Sequence, residues 1–498
     1  MSANPASHDG FLLMDRVESR HNVVRAVCKA EKHPLNPVLP LGDIQEWDST
    51  HCAPWSSQSV IYDEEDKLFK AWYAGSDMGG ASWWATGYAI SEDGVNWHKP
   101  KLGMFEYKGS KDNNIVIEGR GPIIKDNAEP DPNKRFKGIK RLHSYVGEPA
   151  YSEHGARAIF SPDGINWTTG ERILLPRWGG RPPDVGVLVR DDQDPDPSRR
   201  FKFVYQWMVH LDEPHLKQFS KRNPSQGRAK FLAYGPDIEN FREADENPLI
   251  SPNDGLEEED HHVMMGPYGG AWIMAYEYGW YVPSDYGLYG MYGGDIRLAV
   301  SSDGANFERV NPHQPTIPRG AHTEWDGGLL VISDKLVIKD GTIYLYYGGA
   351  AEDFTTWPPE NFIPGVDYGG SGSGSGRVVR MGVATLREDG FTCLETPDRE
   401  TPGHATTTPV DAEGLSNLTL NVGDVRQNRS WIEVEVLDSE SNEPLEGFTR
   451  QDSDDIFIDG LRRPVTWNGK TLSDLGSGQV KLRFWLYGAA RLYAYALS

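Results

Sequence analysis

The sequence predicts an all-β protein, a five-bladed β-propeller followed by a C-terminal β-sandwich. The first observation is a repeat: SEDGVNW (91–97), SPDGINW (161–167) and SSDGANF (301–307) nearly superimpose. Their spacing is about 70 residues or twice that, and GPDIENF (235–241) fills the gap. With a weaker copy, REDGF (387–391), the chain carries five units of similar length.

Each unit has the sequence pattern of a four-stranded antiparallel blade. Asp-Gly between β-rich runs is typical of a hairpin, because glycine tolerates the positive φ that such turns need. Three strands precede each turn, as in SQSVIYDEE (57–65), KLFKAWYAG (67–75) and TGYAI (86–90), and an outer strand follows it. The SxDGxNW segments resemble the Asp-boxes of sialidases, and we interpret their Ser and Asp as satisfying backbone groups of the turns. Four strands in each unit predict a propeller.

The repeat pattern ends after TPGHATTTP (401–409). SWIEVEVLD (430–438) and QVKLRFWLYG (479–488) alternate between apolar and polar residues, which is typical of an antiparallel sandwich. We therefore predict a catalytic propeller over residues 1–402, with 1–45 leading into blade one, and a sandwich over 403–498. We expect the sandwich to pack against the propeller or to join a second subunit in a homo-oligomer.

Composition limits the classes of partner that the chain can bind and the compartment in which we expect it. The formal net charge is −23, and so acidic a surface repels nucleic acid and anionic membrane surfaces. No apolar run of about 18 residues occurs, so we expect no membrane span. The N-terminus shows no basic segment followed by an apolar run, so we expect a cytoplasmic protein, or a secreted or periplasmic one if a leader has been removed. The 3 scattered cysteines predict neither a disulfide framework nor a zinc finger.

Candidate site residues lie where the innermost strands begin, because those strand ends face a common pocket in a propeller. At four of the five blade entrances a carboxylate lies close to the expected end of the channel. Paired carboxylates with separated pKa values are what glycosidic bond cleavage requires, and tryptophans offer flat apolar faces to sugars. The entrance residues are Glu46, Trp47, Asp48 and His51 in blade one, Glu118 and Arg120 in blade two, Arg181 and Asp184 in blade three, Glu257 to His262 in blade four, and Glu324, Trp325 and Asp326 in blade five.

One entrance motif occurs twice. LPLGDIQEWDST (39–50) and IPRGAHTEWDGG (317–328) share Gly, Glu, Trp and Asp at the same offsets. Blades one and five are neighbours in a closed ring, so we expect Asp48 and Asp326 to lie side by side at the channel mouth. In this arrangement Asp48 attacks or activates water, and Asp326 holds the sugar.

The layout resembles that of glycoside hydrolase family 32, the β-fructofuranosidase-like enzymes, and the propeller alone is shared with family 43. By position, the resemblance implies that Asp48 is the nucleophile and that Asp184, in RPPD (181–184), stabilises the transition state. It implies that Glu259 or Asp260 is the general acid. The family's Asn-Asp-Pro-Asn is replaced here by a different sequence around Asp48, so fructose specificity is not implied. Substrate contacts are expected from Trp47, His51, Arg181, His261, Trp325 and Asp326.

The favoured function is hydrolysis of a glycosidic bond in a neutral, furanoside-type or small oligosaccharide substrate. A glycoside phosphorylase is one alternative, but it needs cations to hold phosphate, and only Arg120 and Arg181 are obvious at the entrances. A non-catalytic glycan-binding propeller is the alternative from another class. We predict no cofactor and no metal site, because His261 and His262 are expected to alternate on a strand, which turns only one toward the channel. The sugar, the linkage and the stereochemical outcome stay open.

Overall fold

The computed structural model describes residues 10–11, 17–55, 58–77, 84–141, 155–178, 183–210, 226–252, 257, 259–282, 291–321, 324–351 and 378–498. In these residues the chain is all-β, and helix is confined to short 3-10 turns. The turns are Pro132–Lys134, Pro176–Trp178, Pro197–Arg199 and Leu472–Asp474. The described part of the chain contains no helix with the length and apolar character that a bilayer crossing requires.

Strands of the repeated units pair with their sequence neighbours. Three units in the described ranges form separate four-stranded antiparallel sheets, which we call arrays 2, 3 and 4. Array 2 contains Ile123–Lys125, Phe136–Arg141, Ala156–Ser161 and Thr168–Ile173; array 3 contains Gly186–Arg190, Phe201–His210, Gln226–Gly235 and Arg242–Glu243; array 4 contains Val263–Tyr268, Ala271–Val282, Met291–Ser301 and Glu308–Val310.

The first and last units share a nine-stranded sheet. One half, array 1, contains Val60–Asp63, Leu68–Ser76, Ala85–Ser91 and Ile115–Glu118; the other, array 5, contains Leu329–Lys339, Thr342–Ala350, Val379–Arg387 and Glu31–Lys32. The short strand His51–Ala53 joins the halves, because it pairs with Leu68–Ser76 on one side and with Val379–Arg387 on the other. The N-terminal part of the chain thus supplies the outer strand of array 5, which covers an edge that would otherwise remain unpaired.

The first strands of the five arrays lie against one another. Contacts join the first strands of arrays 2 and 3, 3 and 4, 4 and 5, and 5 and 1. Between arrays 1 and 2, the backbone N–H of Ile123 donates to Ser59 Oγ at 2.8 Å. These strands are short apolar runs such as GVLVR and VMMGPY, as expected for strands enclosed on both faces. At the ends of these strands lies a cavity of about 370 Å³, whose lining includes Ile61, Ile124, Leu188, Met265 and Leu336.

The Asp-Gly turns are stabilised by their own side chains. In the first copy, Asp93 Oδ1 accepts hydrogen bonds from the backbone N–H groups of Val95 and Asn96 at 2.9 and 2.7 Å. Ser91 Oγ accepts from the N–H of Gly94 at 2.9 Å, and Gly94 has a φ of 77°. Corresponding bonds occur around Asp163 and Asp303. These contacts are those that the turn interpretation predicts.

The last hundred residues contribute most strands of two further sheets with a core of their own. The larger contains Val24–Val27, Thr392–Glu395, Arg491–Leu497, Leu418–Gly423 and Gly460–Pro464, with Gly10–Phe11 paired to Arg491–Leu497; the smaller contains Val17–His21, Gly403–Thr407, Gln479–Leu486 and Val410–Asp411, with Ile432–Asp438 paired to Gln479–Leu486. Leu420, Val434, Trp467, Leu482 and Phe484 are fully buried in one cluster with other residues of these strands.

The N-terminal segment differs from the prediction that it leads into the first blade. Val17–His21 pairs with Gly403–Thr407, and Val24–Val27 pairs with Thr392–Glu395. The strand after the fifth turn, Thr392–Glu395, likewise leaves array 5. REDGF lacks the serine of the three SxDG copies and has no aromatic three residues after its glycine. Glu31–Lys32 takes the vacated edge position.

Candidate functional site

The duplicated Glu-Trp-Asp segments form two copies of one buried arrangement. In the first module, residues 42–48, Asp48 is 2% exposed. Its Oδ2 accepts from Lys99 Nζ at 2.6 Å and from the Tyr73 hydroxyl at 2.7 Å. The Trp47 indole stacks on Tyr73 with ring centroids 5.6 Å apart. Two donors, one a lysine and one a tyrosine, therefore converge on one oxygen of the buried aspartate.

The second module, residues 320–326, repeats these contacts. Asp326 is also 2% exposed, and its Oδ2 accepts from Lys32 Nζ at 2.6 Å and from the Tyr347 hydroxyl at 2.9 Å. Trp325 stacks on Tyr347 at 5.7 Å. The shared glycine is required in both modules, since a Cβ at Gly42 or Gly320 would collide with the aspartate carboxylate.

The expectation that the two aspartates lie side by side at a channel mouth stays a prediction. Asp48 and Asp326 share no partner among the described residues, and each is paired with a lysine and a tyrosine. The side chains of Trp47 and Asp326, which were predicted to contact the sugar, are not accessible in this structure, because both residues are 2% exposed. A motif that keeps identical partners in two different arrays serves packing, and the nucleophile role of Asp48 stays a prediction without support from its surroundings.

Asp184 has a different environment. Its side chain is 41% exposed, whereas the arginines beside it are 5% exposed. Arg141 Nη1 donates to Asp184 Oδ1 at 3.0 Å, and Arg120 Nη2 lies 3.6 Å from the same oxygen. His261 Nε2 lies 3.6 Å from Oδ2. A carboxylate that is accessible and flanked by two guanidinium groups is held in its ionised form.

Aromatic rings extend this group of residues. The Arg120 guanidinium lies 4.7 Å from the centroid of Trp84. His51 packs edge-on between Trp84 and Trp55 at 4.6 and 4.9 Å, and Trp55 contacts His262 at 5.4 Å. His51 is 4% exposed, so it supports the indoles and does not itself face a ligand. We call the whole set the Asp184 cluster: His51, Trp55, Trp84, Arg120, Arg141, Asp184, His261, His262 and Glu277.

The two histidines correct a second expectation. His261 and His262 precede the strand, which begins at Val263, so they do not alternate across a sheet. Their ring centroids are 4.1 Å apart, and both rings are fully buried. Burial lowers the pKa of His261 to about 3 and lowers that of His262 well below its usual value, so both imidazoles are neutral at pH 7.

The predicted general acids are enclosed. Glu259 is 1% exposed; its carboxylate accepts from the backbone N–H of Arg228 at 2.9 Å and lies 3.2 Å from the Arg228 guanidinium. Asp260 is 0% exposed, and Arg309 lies 3.8 Å from its carboxylate. Burial, together with the charge of Asp260, raises the pKa of the adjacent Glu257 to about 10. Arg181 and Glu258 lie outside the described residues.

Arg141 and Glu277 were missed by the sequence analysis, which considered only the starts of first strands. The second strand of an antiparallel hairpin ends where the first begins, so its last residues face the same place. Arg141, Gln206 and Glu277 each lie five residues after an aromatic in the first two positions of the second strand, which is Phe136, Phe201 or Trp272. When the second strands of the repeats are aligned at this aromatic, the position five residues later identifies both Arg141 and Glu277.

Comparison with known proteins gives likenesses in structure alone. No protein-family model and no curated protein matches the chain. A glycosyl hydrolase from Bacteroides ovatus is 13% identical with a TM-score of 0.45, and the match covers 73% of this chain and 94% of that one. A structure from the GH130 family of mannoside phosphorylases, which contains glycoside hydrolases that target β-1,2 mannosidic linkages in Candida mannan, is 13% identical with a TM-score of 0.44, covering 72% and 94%.

A third similar structure is a family 43 arabinoxylan arabinofuranohydrolase from Bacillus subtilis in complex with cellotetraose. It is 12% identical with a TM-score of 0.39, and the match covers 95% of this chain and 99% of that one. Likenesses of this degree do not identify a family, and the resemblance to family 32 stays a prediction.

Proposed function

We propose that this chain is a carbohydrate-active enzyme that cleaves a glycosidic bond, and that the sugar binds next to the Asp184 carboxylate. One observation carries the proposal: the Asp184 carboxylate is 41% exposed while the two arginines that flank it are almost fully buried. Buried arginines are costly unless they serve a partner, and here they orient a carboxylate toward solvent. This is the arrangement of a group that meets a ligand.

The architecture we propose for it is a five-bladed propeller with a β-sandwich. Five antiparallel arrays support the propeller, since their first strands contact one another in sequence order and the N-terminal part of the chain supplies the last outer strand. Two sheets around a separate core support the sandwich. We place residues 17–27 with 392–498 in this second unit, because their strands pair there.

Within that frame, Asp184 would stabilise positive charge on the sugar. Glycosidic cleavage proceeds through an oxocarbenium-like transition state, which an ionised carboxylate at the right distance stabilises or attacks. The flanking arginines keep Asp184 ionised at neutral pH. Trp84, which is partly exposed, offers an indole face to a sugar ring beside Arg120.

The general-acid role predicted for Glu259 or Asp260 stays a prediction. An acid must reach the leaving oxygen, and the two residues are 1% and 0% exposed. Either one therefore has to become accessible when substrate binds. We propose a neutral sugar or small oligosaccharide as the substrate, because the overall charge of −23 disfavours anionic ligands.

A specific observation also favours phosphorolysis as a second candidate. The argument against it was a shortage of cations, and the cluster adds Arg141 to Arg120 on the same carboxylate. Two guanidinium groups beside an exposed carboxylate form the type of site that holds phosphate next to a sugar. Inorganic phosphate as co-substrate would give a sugar phosphate in place of the free sugar.

A screen of aryl glycosides and plant or algal oligosaccharides, run with and without phosphate and with product analysis, tests these proposals. We expect product release by the parent chain and a loss of at least about a hundredfold in Asp184→Asn. Asp163→Asn, the same change in an exposed turn, is the matched control and should keep its turnover. Full turnover in Asp184→Asn overturns the proposal, a sugar phosphate product selects phosphorolysis, and binding without turnover indicates a glycan-binding protein.

A further inference from the structure

His261, His262 and Glu277 converge on one point inside array 4. The pairing of Val263 with Tyr276 brings His262 opposite Glu277, whose backbone N–H donates to the His262 carbonyl at 2.9 Å. Glu277 Oε2 lies 3.7 Å from His262 Nε2. One ring nitrogen from each histidine and one carboxylate oxygen all lie within 4.8 Å of one another.

All three side chains are withdrawn from water. His262 and Glu277 are 0% exposed, and His261 is 2% exposed. Neither ring nitrogen of His262 has a hydrogen-bond partner among the described residues, since its contact with Glu277 is longer than a hydrogen bond. A buried polar ring without a hydrogen bond is costly, and a bound ion would satisfy it.

Lys230 is a buried cation beside these residues. It is 0% exposed, and its ammonium donates to the main-chain oxygen of Asp260, the residue before His261. This hydrogen bond is made to the backbone and uses neither ring nitrogen of His262.

We propose that His261, His262 and Glu277 bind a divalent transition-metal ion of the zinc type. Two imidazole nitrogens and one carboxylate oxygen suit zinc and its neighbours, whereas calcium and magnesium take oxygen ligands. Zinc ligands lie about 2.0–2.2 Å from the ion and about 3.4 Å apart in a tetrahedron. The three donors therefore move together by about 1 Å when the ion binds.

Three protein ligands leave one coordination position open. His261 is also the residue whose Nε2 lies 3.6 Å from Asp184 Oδ2, so the site adjoins the accessible carboxylate of the cluster. The open position would hold a water molecule or a sugar hydroxyl, a consequence that rests on the proposed function. Metal binding itself does not depend on it.

Metal uptake by the full-length protein after chelator treatment tests the proposal without any substrate. In calorimetric titration we expect one equivalent of Zn²⁺, with Ca²⁺ and Mg²⁺ at least about a hundredfold weaker. His262→Ala and Glu277→Gln should each weaken Zn²⁺ binding at least about tenfold. His404→Ala is the matched control, because His404 also lies against a histidine, His21, with ring centroids 5.4 Å apart, and the substitution should leave the titration unchanged.

Equal affinity in His262→Ala, Glu277→Gln and the parent overturns the proposal, as does preference for Ca²⁺. If both variants fail to fold, the visible spectrum of the Co²⁺-loaded parent decides. Intense bands of a four- or five-coordinate ion support the site, and a weak octahedral spectrum contradicts it. Because these readouts need no sugar, failure of the metal site and failure of the proposed function are distinguishable.

Discussion

The two Glu-Trp-Asp modules are nearly identical in their contacts, whereas the Asp184 cluster has no copy among the residues that the structure describes. Each module places a buried aspartate between a lysine and a tyrosine and stacks its tryptophan on that tyrosine. In the cluster, positions that correspond by repeat carry different chemistry: Arg141 in array 2 and Glu277 in array 4. Repetition thus marks the residues that build the fold, and departure from it marks the candidate site.

The largest expected effect comes from breaking one of the buried ion pairs. Lys99→Met leaves Asp48 buried without its cation, and Lys32→Met does the same to Asp326. Removing one partner of a buried pair costs about 3–5 kcal/mol of unfolding free energy, and partial exposure of both lysines favours the lower end. Denaturant unfolding should show similar losses in both variants.

Lys101→Met is the matched control for these variants, because the Lys101–Asp112 pair is 71% and 73% exposed. No measurable change is expected there. A loss in only one of the two modules would contradict their structural equivalence.

Next in size is the effect of Arg141→Met on turnover. The substitution removes the 3.0 Å hydrogen bond to Asp184 and one of its two positive neighbours. We expect a loss of about a hundredfold in kcat/KM, which corresponds to about 2.7 kcal/mol. Arg157→Met, on the neighbouring strand of the same array, is the control. Unchanged kcat/KM in Arg141→Met would show that Arg141 does not support turnover through Asp184.

A smaller effect is expected in the repeated turns. Burial by itself would raise the pKa of Asp163, but hydrogen bonds from the backbone and side chain of Asn166 and from the Ile165 N–H lower it overall. Asp163→Ala should cost about 1–2 kcal/mol at pH 7. Since the folded pKa is depressed, this contribution is present above the unfolded pKa of about 3.9 and is lost as pH falls through the folded value. The difference in unfolding midpoint should therefore shrink in acid.

The smallest effect is expected in the pH dependence of stability. The pKa of Glu257 is raised to about 10 by burial and by Asp260. A raised pKa contributes stability below the unfolded value of about 4.3, and this contribution is lost as pH rises toward 10. Arg309 Nη2 donates to Glu257 Oε1 at 2.9 Å, and the glutamine keeps an oxygen that can accept this bond. Glu257→Gln should therefore show a flatter profile of unfolding free energy between pH 5 and 9 than the parent. If the unfolding free energy of Glu257→Gln depended on pH as steeply as that of the parent, this would contradict a protonated Glu257 in the folded protein.

Sequence reasoning predicted the repeats and their turns because Asp-Gly and the apolar runs act locally. It could not predict where edge strands go: Glu31–Lys32 pairs in array 5, whereas Thr392–Glu395 pairs outside it. For the site, the position before a first strand drew attention to Asp184 and His261, whose roles stay predictions. For Asp48, a sequence does not show that Lys99, 51 residues away, pairs with it. Arg141 and Glu277 required the register of the second strands.

The most direct test compares Asp48→Asn with Asp184→Asn, measuring turnover and unfolding on the same preparations. The account predicts that Asp184→Asn loses turnover with little change in the unfolding midpoint, because its side chain is 41% exposed. It predicts that Asp48→Asn lowers the midpoint and keeps turnover at a temperature where it is folded. Loss of turnover in folded Asp48→Asn, with full turnover in Asp184→Asn, would contradict the assignment of structure to the modules and function to the Asp184 cluster.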